Sequence, residues 1–108
     1  MVGWRVETLN RAVDSELEAL PADMRARFLH IAELLETFGP FHVGMPYVKP
    51  LGKKLFEIRM QGRDGIARAL YVPASGQRLV VVHSFVKKTR TAPARALRIA
   101  LQRAKEVR

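Results

Sequence analysis

Three strand-like runs joined by short turns limit what this chain can fold into more than any other feature. They are Leu55–Met60, Ile66–Val72 and Arg78–Val86, the last being the longest and the richest in β-branched residues. The intervening segments, Gln61-Gly62-Arg63-Asp64-Gly65 and Pro73-Ala74-Ser75-Gly76-Gln77, carry turn residues and leave no room for a crossover helix. Consecutive strands connected this tightly predict an antiparallel meander.

The flanking sequence predicts what packs on that sheet. Trp4-Arg5-Val6-Glu7-Thr8-Leu9 alternates and predicts a first strand. Residues 10–20 predict a helix with Val13, Leu17 and Leu20 on one face, and Pro21 suits the first turn of a second. Met24, Phe28, Ile31, Leu34, Leu35 and Phe38 then recur at helical spacing until Gly39-Pro40 ends the run. Residues 40–54, punctuated by Gly and Pro, read as a loop closed by Lys49, Lys53 and Lys54. Pro93 opens a last helix, from Ala94 to about Val107. The expected order is β-α-α-β-β-β-α, an α+β fold with a helical hairpin on one face of a small twisted, mainly antiparallel sheet. A chain of 108 residues, 48% of them hydrophobic, accommodates one such domain over residues 1–108 and a core for it.

Charge is segregated along the chain. Residues 1–48 carry four basic side chains against seven acidic ones, and residues 49–108 carry fifteen against three, giving the net charge of +9. Such asymmetry directs a positive field outward from the sheet half and favours phosphate backbones as partners. A membrane surface fits less well, because the basic last helix has no aromatic anchors. No apolar run approaches a membrane span and the first residues lack a signal-peptide layout, so a cytoplasmic location is expected. With no cysteine and only His30, His42 and His83 scattered along the chain, no metal set and no cofactor are implied.

Strand alternation sorts the candidate residues. Glu57 and Arg59 share one face, opposite Phe56, Ile58 and Met60. Arg68 lies in line with Ile66, Leu70 and Val72, so it either pairs with Glu57 or is held at the sheet surface for a ligand. The last strand runs into His83-Ser84-Phe85-Val86-Lys87-Lys88-Thr89-Arg90, a concentration of cations at a strand end. His83 shares parity with Leu79, Val81 and Phe85, which makes a half-buried, satisfied imidazole its default reading. Trp4 stands alone as an aromatic at the N-terminus, unlike the stacking platforms of generic single-strand binders.

The order of Lys49-Pro50-Leu51, Leu55-Phe56-Glu57-Ile58-Arg59, Arg68-Ala69-Leu70-Tyr71, His83-Ser84-Phe85-Val86-Lys87-Lys88-Thr89 and a basic helix after Pro93 resembles the RelE/HigB toxin superfamily, nearest its phage-derived members. The resemblance implies a type II toxin that cleaves mRNA in the ribosome by 2′-OH attack without a metal. It also implies a cognate antitoxin, acidic where it touches the toxin. Carried onto this chain, it implies catalytic roles for Arg59, Arg68, Lys87 and Lys88 and RNA contacts from Lys53 and Lys54; His83 is a further catalytic candidate where exposed, and Lys49, Tyr71 and Arg90 are further candidates for RNA contact. A tyrosine that some relatives place near the last helix has no counterpart here. The other reading is a non-catalytic RNA- or ribosome-binding module on the same fold.

Overall fold

A computed structural model describes residues 3–87 and 94–108. The elements are β1 (Arg5–Thr8), α1 (Arg11–Glu18), α2 (Ala22–Phe38), a 3-10 turn (Pro40–His42), β2 (Val48–Gly52), β3 (Leu55–Gly62), β4 (Gly65–Ala74), β5 (Arg78–Lys87) and α3 (Ala94–Ala104). Asn10 starts α1 by accepting the Val13 amide on its side-chain oxygen, satisfying one of the free N–H groups of the first turn. Gly39, at φ 83°, takes the chain out of α2 through a conformation that favours glycine.

The strands form one sheet in the order β1-β5-β4-β3-β2. The meander β2-β3-β4-β5 is antiparallel throughout, and β1 returns parallel to β5 at the far edge. One element differs from expectation: Val48–Gly52, inside the segment read as a loop, is an edge strand. Its Gly, Pro and Lys content hid it. An edge position tolerates Pro50, and Lys49 with Pro50 discourages pairing with another chain.

The sheet is covered unequally. Val13 of α1 and Met24, Ile31 and Leu35 of α2 pack on Ile58, Met60, Ala67, Ala69, Tyr71, Leu79 and Val81, forming the larger core. The opposite face is only half open. Leu97, Ala100, Leu101 and Ala104 of α3 cover Leu55, Leu70, Val72, Val80 and Val82, enclosing a second core. The uncovered half carries the charged residues. No described helix is long and apolar enough to cross a membrane.

Candidate nucleic-acid interface

Cross-strand register assembles the charged site. Lys49 pairs with Glu57, Arg59 with Arg68, Arg68 with Phe85, and Ile66 with Lys87. Paired residues share a face, so Lys49, Glu57, Arg59, Arg68, Phe85 and Lys87 come together from four strands.

Arg68 is the centre of this group. It is only 3% exposed, although it lies on the uncovered side. Its Nε is 3.3 Å from Glu57 Oε1, while Arg59 Nη1 donates to the same oxygen at 3.4 Å. The Arg68–Glu57 contact is an ion pair without hydrogen-bond alignment. Nε and Nη1 of Arg68 therefore have no hydrogen-bond acceptor among the described residues. Burial lowers the Arg68 pKa, Glu57 opposes that shift, and Arg59 adds to it. A buried guanidinium with donors to spare is a receptor for an oxyanion, since its fork matches two phosphate oxygens.

Lys87 completes the cluster. Burial, and next the nearby Arg68, hold its ammonium below the ordinary lysine value of 10.5; Arg59 and Lys49 add to this, and Glu57 works against it. Glu57, read from sequence only as a partner for Arg68, restrains both arginines at once. Its 3% exposure is the signal that alternation alone did not reveal.

Other expected site residues are placed elsewhere. Tyr71 points into the larger core, 1% exposed and stacked on Phe56 at 5.4 Å. Burial pushes its phenol up to about 12, so the RNA contact expected of it is corrected to a packing role. The two-residue turn at Lys53-Lys54, both at positive φ, lies at the start of β3, whereas Lys87 is level with its end. Those lysines are thus about 20 Å from Lys87 along the strand and do not join the cluster. Lys88 and Arg90 lie outside the described residues.

His83 also departs from its expected position. Leu70 pairs with His83 but Tyr71 pairs with Val81, so Val82 is an extra residue in β5. This bulge reverses the alternation, placing His83 and Phe85 on the Arg68 side while Leu79 and Val81 stay in the larger core. His83 is 8% exposed, stacked on Phe85, with Nδ1 3.1 Å from Glu16 Oε1. Glu16 also accepts the Ser84 amide and two contacts from Arg103, whose Nη1 in turn donates to the Val82 carbonyl. β1 pairs with β5 only as far as Val81. Beyond that point Glu16 and Arg103 satisfy the strand edge, so His83 sits in a structural network rather than in the cation cluster.

Residues 15–105 match the family described as "Phage derived protein Gp49-like (DUF891)". The crystal structure of the archaeal RelE-RelB complex from Pyrococcus horikoshii OT3 holds a similar chain, with TM-score 0.52 and 19% identity over 84% of this chain and 100% of that chain. No curated protein matches significantly. The structural likeness bears out the expected α+β fold. The family match runs from within α1 to the end of α3. On that span the chain belongs to the Gp49-like family of phage-derived proteins, built on a RelE-like fold.

Proposed function

We propose that this protein is the toxin of a toxin-antitoxin pair and that its uncovered sheet face cleaves mRNA on the ribosome. The observation that carries this reading is the buried, incompletely satisfied Arg68, flanked on the same face by Arg59, Lys87 and Lys49. The family and fold support it, as does the RelE-RelB pairing of the structural relative, which favours an antitoxin partner here.

In the proposed reaction a ribose 2′ oxygen attacks the adjacent phosphorus and the bond to the 5′ oxygen breaks, leaving a cyclic phosphate. Arg68 and Arg59 hold the phosphoryl oxygens where negative charge grows. Glu57 aligns both guanidiniums. Lys87 accepts the 2′-OH proton, because its lowered pKa raises the fraction of neutral amine near neutral pH. The departing 5′ oxygen takes a proton from solvent. The fixed cations neutralise the developing charge, so cleavage is expected to persist when divalent ions are removed from ribosomes shown to remain assembled.

The test is expression in a bacterial host with mapping of mRNA 5′ ends, beside Arg68→Ala and Lys87→Ala. Each variant should lose at least 100-fold in cleavage, as expected when a charge-stabilising or proton-transfer group is removed. In translation extracts the wild-type rate should rise with pH below the ordinary lysine value of 10.5, and Lys87→Ala should lose that rise. Intact mRNA from folded wild-type protein would sink the nuclease reading. RNA binding that survives without cleavage would favour the non-catalytic module.

A further inference from the structure

A second feature adjoins the cation cluster at the outer edge of β3. β2 pairs with β3 only as far as Ile58, after which the Arg59 amide donates to the Tyr47 carbonyl at 2.8 Å. The chain then diverges and opens a pocket of about 180 Å³ lined by Arg27, Pro46, Tyr47, Arg59 and Gln61. That is smaller than the ~300 Å³ at which pockets for drug-sized ligands begin, so it suits one planar group.

The lining has the chemistry of base recognition. Tyr47 packs partly against the larger core, with the His30 ring edge-on at 6.3 Å, which fixes it as a wall. Pro46 adds a second apolar surface. Arg27 and Gln61 are exposed and bring a guanidinium fork and a primary amide from α2 and β3. Single-stranded RNA is read by stacking splayed bases on aromatic or guanidinium planes and bonding their edges. Arginine pairs bidentately with guanine N7 and O6, and glutamine with adenine N7 and N6. Both patterns use N7, which pyrimidines lack. Arg59 belongs to both the pocket and the phosphate cluster, so a nucleotide held at the one presents its base to the other.

We propose that this pocket is a purine subsite, which receives the base of the nucleotide whose phosphate Arg59 and Arg68 hold. The proposal rests on the reading of that cluster as a phosphate site. It also revises the sequence expectation that no aromatic platform exists: the fold makes a one-base platform from Tyr47 and its neighbours.

The experiment measures fluorescence anisotropy with 2′-O-methyl pentanucleotides, which cannot be cleaved. Their central position is adenine, guanine, uracil or an abasic ribose, and the rest are uracil. Wild-type protein should bind the purine probes about tenfold more tightly than the abasic one, and more tightly than the all-uracil one. Gln61→Ala combined with Arg27→Lys should erase that preference while leaving abasic affinity intact, since neither change alters charge. Arg68→Ala should weaken every probe. Equal binding of all probes by wild type, with Arg68→Ala still weaker, overturns the subsite and leaves the phosphate site standing. A purine preference that survives the double variant also overturns it, because the base is then read elsewhere. No binding of any probe removes both.

Discussion

Among individual residues, the pairing of Glu57 with two arginines sets both stability and charge on the uncovered face. The side chains of Glu57 and Arg68 are each 4% exposed, so neither is freely hydrated. Removing one partner of such a pair leaves a buried charge uncompensated, which typically costs 3–5 kcal/mol. Glu57→Ala strands Arg68 beside Arg59, two like charges with no anion between them, and should destabilise the fold by about 3 kcal/mol in urea unfolding. Arg68→Ala should cost less, because Arg59 still pairs with Glu57 at 3.4 Å. Equal losses would show that Glu57 does not arbitrate between the two. Gly62 constrains the same strand differently. A Cβ there would come within 2.7 Å of Met24 Cγ and 2.8 Å of Asp23 Oδ2, so β3 meets α2 only because the side chain is absent.

At the scale of elements, the covering of β5 by α1 and α3 decides where the sheet ends. Arg103 donates to both oxygens of Glu16 and to the Val82 carbonyl, tying α3 to α1 across an edge that β1 leaves unpaired. Hydrogen bonds to charged groups contribute about 1.5–3 kcal/mol each when well buried, and less at the 22–23% exposure of this pair. Arg103→Ala should therefore lower stability by about 1–2 kcal/mol and raise amide exchange in α3 ahead of the β3–β4 core. Protection of α3 unchanged from wild type would mean that Leu97, Ala100 and Leu101 alone hold it down. The same edge explains why His83 was hard to place from sequence. Alternation assumes an unbroken pleat, and one extra residue at Val82 inverts it. β2 escaped notice for a related reason: an edge strand is half-solvated and tolerates Pro and Lys that a central strand would not.

For the whole molecule, the asymmetry of charge governs association. Four cations, Lys49, Arg59, Arg68 and Lys87, face one patch of sheet. With Arg59 and Arg68 sharing one phosphate and Lys49 engaging another, the logarithm of affinity should fall with the logarithm of salt at a slope of about −1.4. Lys49→Ala should make that slope shallower by about 0.7. A slope near zero in anisotropy titrations would show that binding does not run through phosphates.

Much was legible without coordinates. Short turns between strand-like runs specified the meander, helical spacing of Met24 to Leu35 specified the hairpin face, and charge counts located the positive half. These are local or summed properties, carried by neighbours in sequence. Tertiary structure alone decided which cations converge. It brought Lys49, Arg59, Arg68 and Lys87 together through register, left Lys53 and Lys54 at the far end of β3, and turned Tyr71 into the core. It also set how much of the second face α3 covers. Convergence depends on strand pairings as distant as that of Ile66 with Lys87, which bring Lys49 and Lys87 to one face from 38 positions apart in sequence, and on a single bulge. Sequence periodicity carries no information about either.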